Sequence, residues 1–170
     1  MKWPRTLTIP RQPDFIIGKP EAPYMRRWWI IPRNRFFNIY LHNILRPDDD
    51  RALHDHPWAS CSIILRGLYY EHTPDGKFKI RKPGMIRFRK ATAAHRISLF
   101  GIGYRGELDK KTGRPVFTEC YRPAWTLFIT GPKVREWGFH CPKGWRHWRE
   151  FVGVRDGEAR GDEDNVGCGD

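Results

Sequence analysis

The residues most able to do chemistry lie in the run Leu53-His54-Asp55-His56-Pro57-Trp58. In an extended strand, residues i and i+2 point to the same face. His54 and His56 can therefore aim two imidazoles at one point. A third histidine, His95, lies on a later segment that also reads as a strand. Imidazole nitrogens serve iron, zinc, nickel and copper. Three neutral imidazoles with open positions left for water or substrate make a reactive metal site, not a closed structural one. Asp55 lies between the two ligands and is expected on the opposite face, which makes it a poor fourth ligand. Asp50 and Glu71 are the carboxylates that could reach the site. The same His-x-His pair also suits two hydrogen-bonded histidines without metal.

Other side chains could bind a substrate. Arg87 and Arg89 alternate on one strand, and Arg66 ends another. Facing inward, such guanidiniums could clamp a carboxylate or phosphate. Ile86 and Phe88 point the other way, and their apolar character places the core on their side. His42 and Tyr69 are candidates for the pocket wall, with Tyr70 and Tyr104 as further hydroxyl donors. His140-Cys141 is a soft-ligand pair near the end of the apolar pattern. His72 and His147 read as ordinary hydrogen-bonding histidines.

These residues need a scaffold, and the pattern is all-β. Short apolar runs over 36–43, 52–56, 60–65, 67–72, 77–82, 85–89, 94–99, 115–121, 126–130 and 134–140 alternate with turn signals. Such spacing predicts a sandwich or barrel. Residues 101–114 read as a hairpin or long loop, and 144–151 as a short helix. Residues 1–35 carry six prolines between Pro4 and Pro32 and read as an extended arm packed through Trp28, Trp29, Ile30 and Ile31. The body is assigned to 36–152 and an acidic, disordered tail to 153–170.

The chain has 170 residues, enough for one domain with a real core. The formal charge is +12. Residues 153–170 hold six acids against two arginines, a net of −4, which leaves +16 on the rest. A basic body attracts polyanions, among them nucleic acid and acidic protein surfaces. Trp28, Trp29, Trp145 and Trp148 beside arginines could stack on bases, or simply pack. No apolar run approaches a membrane span, and the first residues lack a signal-peptide core. A cytosolic location follows as the expectation, and Cys61, Cys120, Cys141 and Cys168 are then expected to be free thiols. Cys61 is expected in the core.

The motifs resemble those of the cupins, small jelly-roll β-barrels. The family's first motif is Gly, five residues, His-x-His, three or four residues, Glu, six residues, Gly. Here His54-Asp55-His56 and Gly67 fit, Ser60 stands at the glutamate position, and the opening glycine is absent. In the second motif His95 fits the histidine, while Lys90-Ala91-Thr92 replaces Pro-x-Gly and Leu99 replaces Asn. The resemblance covers roughly 36–140. It is strongest to small cupin-like proteins with a His-Asp-His-Pro-Trp core, an Ile-Leu-Arg-Gly turn (64–67) and a closing Leu-Phe-Ile-Thr-Gly-Pro-Lys…Trp-Gly-Phe segment (127–133 and 137–139).

The resemblance implies a single-domain all-β jelly roll binding a divalent ion through His54, His56 and His95. Fe(II) is favoured, with Zn, Mn or Ni as alternatives. It implies an oxygenase acting on a small anionic substrate, or a sugar isomerase or epimerase. Homodimers are common among cupins. A non-enzymatic binding module for nucleic acid or an acidic partner is the rival reading.

Overall fold

The computed structural model describes residues 11–19, 22–48, 52–109, 112–153 and 167–169. Fourteen strands and one short helix are formed by these residues: β1 (Phe15–Lys19), β2 (Ala22–Trp29), β3 (Asn38–Ile44), β4 (Leu53–His54), β5 (Ser60–Arg66), β6 (Tyr69–His72), β7 (Phe78–Arg81), β8 (Ile86–Arg89), β9 (Arg96–Leu99), β10 (Gly101–Leu108), β11 (Pro115–Tyr121), β12 (Ala124–Thr130), β13 (Gly138–Cys141), β14 (Gly144–His147) and α1 (Trp148–Phe151). All pairings are antiparallel.

One layer is a six-stranded sheet in the order β1-β2-β3-β12-β5-β8. Two three-stranded sheets, β14-β13-β4 and β7-β6-β9, form the other strand groups that flank the site. A single antiparallel bridge, His54 to His95, joins these two smaller sheets. Its two backbone hydrogen bonds are both 2.9 Å. The turn from β5 to β6 depends on Gly67, which adopts φ 74°. A Cβ there would stand 2.3 Å from the Pro123 carbonyl oxygen, so only glycine fits. The apolar core comprises Met25, Ile44, Ile64, Tyr69, Leu99 and Ala124.

The inner face of the six-stranded sheet is mixed: the core residues Met25, Ile44, Ile64 and Ala124 lie toward one end, and polar side chains surround the cavity. Thr126 pairs with His42, Phe128 with Tyr40 and Ser62, Ser62 with Arg87, and Ser60 with Arg89. Cross-strand partners share a face, and His42, Ser62, Arg89, Thr126 and Phe128 line an internal cavity. The outer face is apolar over two rows, while an adjacent row holds Arg26, Asn43, Trp125 and Arg66. One row runs Leu41, Leu127, Ile63, Ile86, and the next runs Ile39, Ile129, Cys61, Phe88. The usual half-buried sheet has the reverse pattern, apolar inside and polar outside.

This inversion corrects the sequence reading of β8. Ile86 and Phe88 were expected on the core side, yet they are 57% and 72% exposed, whereas Arg89 is buried. The reason is that the interior here is a polar cavity, so apolar character does not mark the inner face. Cys61 lies half-buried on the outer face, not in the core.

Three further expectations change. The segment 1–35 is not merely an arm, because β2 pairs with β3 inside the main sheet; Trp28 is buried, but Ile30 is exposed. Residues 144–151 divide evenly, with strand β14 over Gly144–His147 and the short helix limited to Trp148–Phe151. Cys141 and Cys168 are joined by a disulfide, while Cys61 and Cys120 are free. Residues 167–169 therefore dock on β13 and β14, where Arg146 and Lys143 donate to the Gly167 and Gly169 carbonyls. The rest of the expected tail, 154–166 and 170, lies outside the described residues. No helix among the described residues is long and apolar enough to cross a membrane.

Candidate metal centre

The fold brings His54, His56 and His95 together by backbone pairing. His54 and His95 are cross-strand partners, so their side chains leave the sheet on one face. His56 follows two residues on, held by its amide to the Ala91 carbonyl at 3.0 Å. Ring centroids are 5.1 Å apart for His54–His56, 4.9 Å for His54–His95 and 5.1 Å for His56–His95. One ligand nitrogen from each ring lies within 4.8 Å of the other two. The His56 and His95 Nε2 atoms are 2.8 Å apart. That spacing suits a hydrogen bond between one protonated and one bare nitrogen. It equally suits two ligands of one ion at metal–nitrogen distances of about 2.0–2.1 Å.

Protonation favours ligation. Burial, with neighbouring histidine and arginine charge, holds His56 and His95 well below the ordinary histidine value. Both rings are then neutral, the form a metal takes. Behind His95 stands Glu71, with Oε1 3.5 Å from Nδ1. That Nδ1 is buried without a hydrogen-bond partner. A carboxylate behind a ligating imidazole orients the ring and raises its basicity. Asp48 Oδ2 stands 3.9 Å from His54 Nδ1. The residues present therefore fit a divalent cation.

Glu71 is only 1% exposed and is held by arginines. Arg89 donates through Nε at 2.6 Å and Arg81 through Nε at 2.7 Å. Burial pushes the Glu71 carboxyl up, but these guanidiniums outweigh it and hold the pKa below its ordinary value. Ser62 accepts from Arg89 Nη1 at 2.9 Å. Tyr69 is buried on the cavity wall, and burial raises its pKa, so its hydroxyl keeps its proton.

Asp55 turns away from the histidines, as its place between them requires. It accepts from the Gly138 amide at 2.9 Å, Trp145 Nε1 at 3.0 Å and His140 Nε2 at 3.1 Å. It also pairs with Arg135 Nη1 at 2.8 Å. These contacts fasten the β13–β14 hairpin to the ligand segment.

Three histidines meet inside an antiparallel jelly roll, two of them at the bridge that joins its smaller sheets. The fold is that of the cupins. No protein-family model and no curated protein matches the chain. Among solved structures, a Klebsiella pneumoniae protein with a double-stranded β-helix domain is 15% identical, with a TM-score of 0.46, covering 72% of this chain and 89% of that one. A Desulfitobacterium hafniense cupin superfamily protein is 11% identical, with a TM-score of 0.42, covering 73% and 84%. The Fe(II) form of HppE is 15% identical, with a TM-score of 0.47, covering 74% and 62%. These are likenesses of fold.

Ser60, where the resemblance would place a glutamate, faces inward but does not line the cavity. Glu71 on β6 supplies a carboxylate from behind His95 instead. Asp50 lies outside the described residues. The cavity holds about 90 Å³ and opens into a mouth of about 390 Å³ walled by Tyr24, Trp58, Trp137 and Phe139. His42 and Tyr69 line the cavity, whereas Arg66 and Arg87 do not. Arg87 faces inward but stops 3.7 Å from Glu71. Tyr104 is exposed on the β10–β11 hairpin. His140 serves Asp55, His72 bonds Ser98, and His147 bonds Glu136.

Arg27 was missed by sequence reasoning. It lies on β2, inside the segment read as an arm, and it lines both the cavity and its mouth. Its Nε donates to His42 Nε2 at 2.9 Å. Burial and the Arg27 charge keep His42 neutral, so that nitrogen stays an acceptor. Among the described residues nothing else accepts from the Arg27 guanidinium, which leaves its Nη groups for a ligand. The alternation Met25, Arg27, Trp29 around a buried Trp28 was the available signal.

Proposed function

We propose that this cupin is a metal-dependent enzyme acting on a small anionic substrate. His54, His56 and His95 hold the divalent ion, with Fe(II) first and Zn, Mn or Ni as alternatives. The bound ion supplies Lewis-acid or redox chemistry at the cavity floor. The observation that carries the reading is the convergence of three imidazoles in a cavity whose wall also presents Arg27. Among the described residues no carboxylate lines the inner cavity, so a set of three imidazole ligands would leave the ion's full charge there. An anionic group is drawn in and meets the Nη edge of Arg27, whose rigid fork suits carboxylate or phosphate. Glu71 orients His95, and Tyr69 offers a neutral hydroxyl. Tyr24, Trp58, Trp137 and Phe139 limit water at the mouth.

Oxygenase chemistry is the first reaction class and isomerase or epimerase chemistry the second. Screening carboxylates and phosphates against Fe(II)- and Zn(II)-loaded protein, with oxygen uptake as one readout, separates them. No turnover or anion binding with any loaded ion would remove the enzyme reading. For the nucleic-acid module, the aromatic rings matter: Trp28 stacks on Trp125 and Trp137 on Trp148, at 5.6 Å each. Rings stacked on each other support packing over base recognition.

A further inference from the structure

We infer that the ligand of this cavity is an anionic head carried on an apolar body of one or two rings, with the head at Arg27 and the body in the aromatic mouth. This narrows the substrate of the proposed metal centre and rests on that reading. Arg27 fixes the place of the head. Its Nε is held by His42 at 2.9 Å, and its guanidinium carbon lies 4.9 Å from the centre of the Tyr40 ring. Among the described residues no carboxylate pairs with it. A largely buried cation without a counter-ion favours an anionic ligand. Arg27, His54 and His56 each border both the inner cavity and the mouth. The charged head therefore sits where the two spaces meet.

Volume decides where the rest of the ligand goes. The inner cavity holds about 90 Å³ and the mouth about 390 Å³. An apolar cavity of about 150 Å³ takes one benzene ring. The inner space is too small for a ring, whereas the mouth has room for about two. The body must extend outward.

The lining of the mouth sets the chemistry of that body. Ile17, Tyr24, Trp58, Trp137, Phe139 and Val152 form most of its wall. Asp48 also borders it, but its Oδ2 already accepts from the Ile97 amide at 2.7 Å and faces His54 Nδ1 at 3.9 Å. A sugar would bury hydroxyls there with few partners, which costs affinity. Two of the aromatic walls are braced from behind. Trp137 stacks on Trp148 at 5.6 Å, and Phe139 stacks on Phe151 at 3.7 Å. Trp58 lies 18° from parallel with His56, centroids 6.4 Å apart. Walls held in this way need little ordering when a flat ring enters. A ring-bearing carboxylate or phosphate fits this mouth, and a sugar phosphate does not.

Calorimetric titration of the full Zn(II)-loaded chain tests this with phenyl phosphate, inorganic phosphate, glucose 6-phosphate, 3-phenylpropionate and 3-phenylpropanamide. Phenyl phosphate is expected to bind about 10–100-fold tighter than inorganic phosphate or glucose 6-phosphate, from burial of its ring. The neutral amide is expected to bind about 10–100-fold more weakly than the carboxylate. Trp58→Ala is expected to cut the phenyl phosphate advantage about 10-fold, with inorganic phosphate held within about 2-fold. Arg27→Met is expected to narrow the preference for carboxylate over amide about 10-fold. Glucose 6-phosphate bound as tightly as phenyl phosphate overturns the inference, as does amide bound as tightly as carboxylate. Both comparisons are made in the wild type and stand whether or not a variant folds. Equal loss of both phosphates in a folded Trp58→Ala also overturns it. Metal content of the same samples separates the two claims. Zn(II) retained without the ring preference overturns this inference alone. The ring preference in protein that retains no Zn(II) supports it and removes the three-histidine centre instead.

Discussion

Replacing Asp55 with alanine removes a carboxylate that is 1% exposed and joins two elements. The Gly138 amide, Trp145 Nε1 and His140 lose their acceptor, and Arg135 loses its ion pair. Removing one partner of a buried pair costs about 3–5 kcal/mol. Arg135 is partly exposed and can turn to water, so the loss falls near the lower end, about 3 kcal/mol. For a chain of this size each kcal/mol moves Tm by about 2–4 °C, which gives a fall of roughly 6–12 °C. Asp55→Asn keeps the shape and part of the acceptor set and is expected to lose about half as much. Calorimetry reads both, and amide exchange should show β13 and β14 opening first. A Tm within about 2 °C of wild type for Asp55→Ala, or unchanged protection in β13, refutes the assignment of Asp55 as the fastener.

Glu71→Gln leaves Arg81 and Arg89 buried without their anion and is expected to cost about 3–5 kcal/mol in chemical denaturation. It should also weaken metal binding about 10–100-fold, because His95 loses its carboxylate. Arg27→Met should leave metal affinity intact while weakening an anionic ligand about 10–100-fold in calorimetric titration, the loss of a charged hydrogen bond; equal affinity in both proteins would remove Arg27 from the site. Stability should also follow pH. Asp55 and Glu71 have folded pKa values below their ordinary 3.8 and 4.5. Their contribution is therefore complete above those ordinary values and is lost as pH falls through the folded ones. Denaturation midpoints should fall on acidification below about pH 4.5, and Asp55→Asn should flatten that slope.

Much of this was legible in the chain. The i, i+2 rule alone places His54 and His56 on one face, and strand pairing explains how His95 joins them. The strand pattern from 60 to 130 followed from short runs punctuated by Gly67, Pro74-Asp75-Gly76 and Pro83-Gly84. What failed was the assumption that apolar means inside. In β8 that rule put Phe88 in the core and Arg89 outside, because the sequence does not show that the interior holds a polar cavity. Arg27 escaped for a related reason: prolines suggested an arm, whereas β2 pairs along β3 and enters the cavity wall. The Cys141–Cys168 pair is separated by 27 residues and has no spacing signature.

The most direct test of the central claim is metal content. Protein purified without chelator, loaded anaerobically with Fe(II) or with Zn(II) and desalted, is expected to retain one ion per chain by elemental analysis. Anomalous scattering at that metal's edge should place it between His54, His56 and His95. His56→Ala should abolish retention while the circular dichroism of the folded chain persists. Folded wild-type protein that retains no ion of either metal, or an ion that stays bound in His56→Ala, would contradict the three-histidine centre.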